Sequence, residues 1–505
     1  MKKILPVILI LLYMVDLLNG QVKKPNIIVI YLDDLGYGDV SAYKKGTLNT
    51  PNIDFIANNG VRFKRGYATS ATCTPSRYGL LTGIYPWKNK QAKILPGDAP
   101  LIIDTALITL PKALKRANYK TAVVGKWHLG LGNGNIDWNK KLNLTPSDVG
   151  FDYSFIMAAT TDRVPTVYIE NNEVVGLQEN DPLHVSYQQN FDHEPTAISH
   201  PGLMTKMKWH HGHNQSVHNG IPRIGYMKGG KSALWVDEDM SDIFLEKALS
   251  FIQNSKSIQP ENPFFLYFAL HQPHVPRVPH PRFAGKSGMG PRGDAILEAD
   301  GCVGELMRKL SELGDLENTL ILFTSDNGPV LNDGYFDEAV EKLGNHTPSA
   351  DLRGGKYSLY EAGTRVPFIA YWKGVIKPVV SEAMVCQLDF TASLAQLAGV
   401  PAPSGDGENL LKAFLGKSKK GRKELVIEAT GRLAYRYKHF VYIPASKEHP
   451  MIETVRIENG NAPEDQLFNL KKDIGQRDNV AIKRKNKLNF MKSRMEVLLN
   501  SGSSL

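Results

Sequence analysis

The sequence predicts an α/β fold: a large, mostly parallel central sheet flanked by helices, with a smaller C-terminal subdomain. Three observations carry this. Short apolar, β-branched runs alternate with helical patterns from residue 25 to about 400. Several of these runs end abruptly in charged or polar residues, as strands do where their carboxyl ends open on a ligand site. Beyond PAPSGDGENL the pattern changes to short strand-like runs and one last helix.

In chain order, the first twenty residues, MKKILPVILILLYMVDLLNG, carry two lysines and then an apolar run from Ile4 to Met14. They read as a secretory signal peptide over 1–20, too short and wrongly flanked for a membrane span. No later segment is apolar for long enough to cross a bilayer, so an exported protein, periplasmic or secreted, is expected. The catalytic domain is expected over 21–400. Within it, Asn26 to Leu32 runs into Asp33 and Asp34, and Lys120 to Val124 into Gly125, Lys126, Trp127 and His128. Phe264 to Leu270 runs into His271, Gln272, Pro273 and His274, and Thr319 to Thr324 into Ser325, Asp326, Asn327 and Gly328. As parallel neighbours, these four strands would deliver two carboxylates, a Lys/His pair, a His/His pair and an Asp/Asn pair to one edge.

Residues 150–235 form a long, loop-rich stretch containing Asp162, Arg163 and WHHGHN (Trp209 to Asn214). Long irregular insertions in compact domains are usually functional or disordered, and the aromatics and histidines here argue against disorder. From 401 to 505 a C-terminal subdomain is expected, with LVIEAT, RLAYRYKHFVYI and DQLFNL as antiparallel strands and Asn486 to Leu499 as an amphipathic helix.

Lys+Arg 60 against Asp+Glu 51 gives +9, a balance that favours anionic ligands without choosing among them. Three cysteines, an odd number, rule out a disulfide framework as the source of stability. Cys302 and Cys386 both lie in helix-like stretches and are expected as buried free thiols, with a disulfide between them as the alternative, while Cys73, in ATCTPSRYGLLTG, has no obvious partner. Asp33 with Asp34, and Asp326 with Asn327, supply hard oxygen ligands of the kind that calcium or magnesium takes. A turn after each strand is the alternative reading of those pairs. His210, His211 and His213 are not read as a zinc site, since zinc asks for a different ligand set and spacing.

C-T-P-S-R followed by Y-G-L-L-T-G resembles the signature of the type I sulfatases. The likeness covers nearly the whole chain: PNIIVIYLDDLGYGDV, GKWHLG, the strand ending in HQPH, TSDNG, RGGKYSLYEAGTRVPFIA and DQLFNLKKD. It implies an alkaline phosphatase-like sandwich and hydrolysis of a sulfate ester. It further implies that Cys73 is oxidised to formylglycine (3-oxoalanine) by a formylglycine-generating or sulfatase-maturing enzyme that reads Cys73, Pro75 and Arg77. Hydrated formylglycine is a geminal diol: one hydroxyl attacks sulfur, and the other later expels sulfate. Sulfate esters are anionic and poorly electrophilic, so such a site must neutralise charge while presenting a strong nucleophile.

Residue by residue, the resemblance implies one Ca2+ held by Asp33, Asp34, Asp326 and Asn327. Arg77 would hold the formylglycine hydroxyl, and Lys126 and His128 would bind sulfate or formylglycine, with His128 as base. His271 matches the general acid and Lys356 the lysine bridging sulfate and the leaving oxygen. His274 would contact substrate or support the site. The insertion resembles that of bacterial sulfatases that remove 6-O-sulfate from galactose or N-acetylgalactosamine, in which an Asp-Arg pair, here Asp162 and Arg163, reads the axial O4; His211 and its neighbours would line the sugar subsite. The implied substrate is a sulfated glycan, with no nucleic acid and no membrane span. A sulfatase of another position or sugar, a phosphoester or phosphonate hydrolase of the same superfold, and a non-catalytic glycan binder are the alternatives.

Overall fold

The computed structural model describes residues 24–46 and 48–501, so the signal peptide expected over 1–20 lies outside the described residues. Ten strands form the central sheet: β1 (Asn26–Leu32), β2 (Val61–Tyr67), β3 (Lys120–Lys126), β4 (Tyr153–Met157), β5 (Tyr168–Glu170), β6 (Glu173–Val174), β7 (Phe264–Ala269), β8 (Thr319–Ser325), β9 (Phe368–Tyr371) and β10 (Val379–Cys386). Their order is β10-β2-β9-β8-β1-β7-β3-β4-β5-β6. The run β8-β1-β7-β3-β4 is parallel throughout, and β9, β5 and β6 pair antiparallel with their neighbours. β1, β7 and β8 are buried along their whole length, and strands covered on both faces read as unbroken apolar runs rather than alternating ones.

Helices cover the two faces. Ile27, Val29 and Tyr31 pack with Leu80 of α2 (Cys73–Thr82), Leu114 of α3 (Leu110–Lys115) and Leu394 of α6 (Asp389–Ala398). Ile28, Ile30 and Leu32 pack with Ile56 of α1 (Pro51–Asn58), Phe244 of α4 (Met240–Ile258) and Ile296 of α5 (Gly290–Glu312). A third core belongs to the C-terminal sheet, where β11 (Glu424–Ala429), β12 (Arg432–Tyr437), β13 (Phe440–Ile443) and β14 (Gln466–Asn469) run antiparallel and α7 (Lys485–Ser501) buries Met491 and Met495. The expected class, a mostly parallel sheet with a small antiparallel one after it, is the one found.

Two details differ from the sequence reading. Cys386 ends β10 instead of lying in a helix, because Val379 to Cys386 pairs along β2 and Asp389 takes the Cys386 N–H at 2.9 Å as α6 begins. RLAYRYKHFVYI is two strands, β12 and β13, reversed at Lys438, whose φ is +56°. All three cysteines are buried and free. Among the described residues no helix is long and apolar enough to cross a membrane.

Candidate active site

The four strands whose polar ends were singled out, β8, β1, β7 and β3, are consecutive and parallel, so their carboxyl ends open together. Gly125 makes the closure possible: its φ is +113°, and a Cβ there would lie 1.9 Å from the Ala269 carbonyl oxygen on β7. Cys73 stands at the first position of α2, and Pro75 falls in the first turn, where a missing N–H costs nothing. Arg77, one turn on, shares its face. The C-terminal sheet braces the loop before the helix: Ser70 donates to the Glu428 carboxylate, and the Ala71 N–H to the Glu428 carbonyl at 2.8 Å.

Asp33, Asp34, Cys73 and Asp326 are all buried, and their ligand atoms lie within 4.8 Å of one another. Asp34 sits at φ +64°, a costly conformation for a residue with a side chain and one that concentrates at functional sites. Asn327 donates its amide to Asp34 Oδ1 at 2.7 Å. Arg77 grips Asp326 Oδ2 through Nη2 (2.7 Å) and Nε (3.1 Å) and lies over the Tyr31 ring. Lys126 pairs with Asp33. Lys356 bridges Asp34 Oδ2 (2.9 Å) and Asp333 Oδ2 (2.8 Å).

The electrostatics follow from this packing. Burial, then the nearby Asp326 carboxylate, pushes Asp33 well up, and burial also raises Asp34. Burial acts on Asp326 too, but Arg77 and Lys126 outweigh it and hold its carboxyl below the usual range. Burial works against the charge on Lys356, yet Asp333 and Asp34 keep it firmly protonated. Burial pushes the Cys73 thiol up, so the unmodified side chain is a protonated, poor nucleophile. A metal ion fits here. The donors are oxygens, and Asp33 Oδ1 and Asn327 Oδ1 are buried without a partner. The carboxylates crowd one another in a way a divalent cation relieves.

Above this floor opens a cavity of about 330 Å³. Cys73, His128, Lys356, His274, Asp162, Arg163 and His211 line it. Asp33, Asp34, Asp326, Asn327, Arg77 and Lys126 are bound to one another at its base. His128 donates Nε2–H to the Leu95 carbonyl at 3.0 Å, which leaves Nδ1 bare and without a partner. Burial and the Lys126 charge push its pKa well down.

His271 and His274 separate. His274 donates Nδ1–H to the Val275 carbonyl at 2.6 Å and turns Nε2 to within 3.9 Å of Asp34 Oδ2. His271 is not in the cavity lining; it is buried edge-on against Phe244, and burial lowers its pKa to about 4. The histidine that reaches the cavity is therefore the second of the motif.

On the opposite wall Asp162 is held on all sides. Arg163 donates to both of its oxygens (2.9 and 3.1 Å), His213 to Oδ2 at 2.8 Å, and Thr160 to Oδ1. Burial raises the Asp162 pKa, but Arg163 and His213 outweigh this and keep it ionised. Sequence reasoning missed Asp333 and Tyr357, which line the cavity beside Lys356; Asp333 sits in no motif, and Tyr357, although it follows Lys356 inside RGGKYS, was given no role. It also grouped His213 with His210 and His211, whereas only His213 bonds Asp162.

A family model described as Sulfatase matches residues 25–400. An N-acetylgalactosamine-6-O-sulfatase of Bacteroides thetaiotaomicron is 50% identical over 470 residues, covering 92% of this chain and 91% of that protein. Human arylsulfatase A is 32% identical over 410 residues, covering 80% and 70%. A solved structure concerned with metabolism of multiple glycosaminoglycans by Bacteroides thetaiotaomicron superposes with a TM-score of 0.92 at 48% identity, covering 94% of this chain and 99% of the other. The chain belongs to the sulfatase family and is a sulfuric ester hydrolase.

Proposed function

We propose that this sulfatase removes the 6-O-sulfate of N-acetylgalactosamine or galactose in a glycan, using one calcium ion and a formylglycine derived from Cys73. The observation that carries the reading is one cavity that has Cys73 on its floor and the Asp162–Arg163 pair on its wall. The 50% identical relative is named for the N-acetylgalactosamine 6-sulfate ester.

Bound calcium supplies concentrated positive charge for the sulfate oxygens, and formylglycine at position 73 supplies the attacking hydroxyl. Asp33, Asp34, Asp326 and Asn327 hold the ion. Arg77 keeps Asp326 ionised and oriented. Lys356, protonated and fixed between Asp34 and Asp333, presents its ammonium to the ester. His274, rather than His271, donates the proton to the leaving sugar oxygen: it is the motif histidine that lines the cavity, and an entering sulfate favours the second proton that burial and lysines disfavour. His128 Nδ1, unprotonated and unpartnered, takes a proton at the other end of the reaction. Asp162 and Arg163, locked together, present one acceptor and one donor in fixed positions to a ring hydroxyl, so a sugar without that hydroxyl there forfeits both bonds. Export rests on the pattern of residues 1–20 and is read out by cell fractionation.

The test compares 6-sulfated galactosides with a small aryl sulfate. Asp162→Ala and Arg163→Ala are expected to lower kcat/KM on the galactoside by roughly tenfold or more and to spare the aryl sulfate. Equal loss on both would make the pair a support of the core site. Cys73→Ala is expected to fold and to lose both activities.

A further inference from the structure

A groove of about 700 Å³ opens beside the catalytic cavity, between the loop 329–341 and the segment 453–457. Cavity and groove share Thr454 and Val455 along their common edge. The wall between them is two short paired segments: the His210 N–H bonds the Gly334 carbonyl at 2.7 Å and the Phe336 N–H the Lys208 carbonyl at 3.0 Å. Tyr335 and Phe336 both line the groove, and His211, next to His210, lines the cavity. His213 holds Asp162 on the cavity side, its ring 4.6 Å from that of Tyr335. His210 and Phe336 meet edge to face at 4.9 Å on the groove side. Phe336 is 62% exposed, a large apolar ring left open. Near it, Asn332 Oδ1 is buried with no hydrogen-bond partner.

We propose that this groove is a second sugar subsite, which binds the residue glycosidically linked to the sulfated sugar; it rests on the reading of the cavity as a 6-sulfated galactoside site. A cavity of about 330 Å³ is at the small end of ligand sites and has room for one sulfated sugar, so a longer chain must leave across an open edge. Across the shared edge the groove offers what a sugar ring needs: an aromatic face for its C–H side and acceptors for its hydroxyls in Asn332 and the carboxylates of Glu341 and Glu453. Phe336 and the His210 ring stand exposed in a groove whose floor is apolar and whose edge carries Glu341 and Glu453, so an aromatic face and hydroxyl acceptors meet in one place.

The experiment measures kcat/KM of the parent, Phe336→Ala and Phe336→Tyr on 6-sulfated N-acetylgalactosamine and on a tetrasaccharide with that same residue at its non-reducing end. The parent is expected to prefer the tetrasaccharide by about tenfold, Phe336→Ala to lose most of that preference through the tetrasaccharide KM, and Phe336→Tyr, which keeps the ring, to retain it. All three are expected to turn over the monosaccharide alike. Equal kcat/KM on both substrates in the parent, or an undiminished preference in Phe336→Ala, would overturn the subsite while leaving the cavity reading intact. A parent that turns over neither substrate overturns the cavity reading and the subsite with it.

Discussion

Glu298 offers a prediction whose size can be worked out. It lies buried on α5, where its carboxylate accepts the His280 N–H and the Gln272 amide, each at 3.2 Å. Gln272 sits between His271 and the Pro273–His274 turn, and its carbonyl accepts the Asp33 N–H at 2.9 Å. Glu298 thus anchors the loop that brings His274 to the cavity. Burial pushes its carboxyl from an ordinary 4.5 up to about 7. The folded protein therefore holds a proton that the unfolded chain has already released. The stabilisation is complete below about pH 4.5 and is lost as pH rises through about 7. The gap between the two values is worth about 3 kcal/mol. Glu298→Gln keeps the shape and an acceptor oxygen but cannot ionise. In denaturant unfolding the variant and parent are expected to agree within about 1 kcal/mol near pH 5, and the variant to be more stable by about 2–3 kcal/mol at pH 8. Asp300, raised by burial to about 6, titrates in both proteins and drops out of the difference. A gap between variant and parent that stays constant from pH 5 to 8 would refute the reasoning.

His274→Ala is expected to lower kcat on a 6-sulfated sugar by about 10²–10⁴-fold and to cost far less on 4-nitrophenyl sulfate, whose leaving group departs without a proton; a larger loss from His271→Ala than from His274→Ala would return the acid role to the first histidine. Calcium added to chelator-treated protein at about a hundred times its Kd is expected to raise stability by about 2.7 kcal/mol, seen as a higher Tm, and Asp326→Ala to abolish the rise. His213→Ala removes one hydrogen bond to a buried carboxylate, which at about 1–3 kcal/mol corresponds to a fall of roughly 5- to 150-fold in kcat/KM on the 6-sulfated galactoside, with aryl sulfate turnover unchanged.

The parallel core was legible because strands buried on both faces are written as continuous apolar runs, and three of the four here, β1, β3 and β8, stop at the residues that form the site. Asp33, Lys126 and Asp326 could be placed together from those endings alone. The HQPH loop could not be resolved that way. His271 directly follows the strand and packs back on Phe244 of α4, and the chain then turns, with the His274 N–H on the His271 carbonyl at 3.0 Å, so the later histidine reaches forward. Asp333 was hidden for a similar reason, since its partner Lys356 comes from a separate loop and no local pattern links them. The bond from His213 to Asp162 spans 51 positions. Cys386 was misplaced because strand pairing with β2, not local propensity, decides that segment.

Charge accounting at the cavity floor explains why a cation belongs there. With every acid ionised, four buried carboxylates, Asp33, Asp34, Asp326 and Asp333, face three cations, Arg77, Lys126 and Lys356, which leaves one net negative charge, and the raised Asp33 and Asp34 carboxyls reflect that excess. A sulfate monoester brings another, so these residues alone would repel their substrate, and unbalanced buried charge costs several kcal/mol per ion. A divalent cation turns the floor to one net positive charge, which the ester then neutralises. The Asp162–Arg163 pair adds nothing to this balance, because its two charges cancel at 2.9 Å. Sulfate capture and sugar reading are thereby electrostatically separable: a substitution that removes the whole pair is expected to change which sugar is accepted without changing how firmly the floor attracts sulfate.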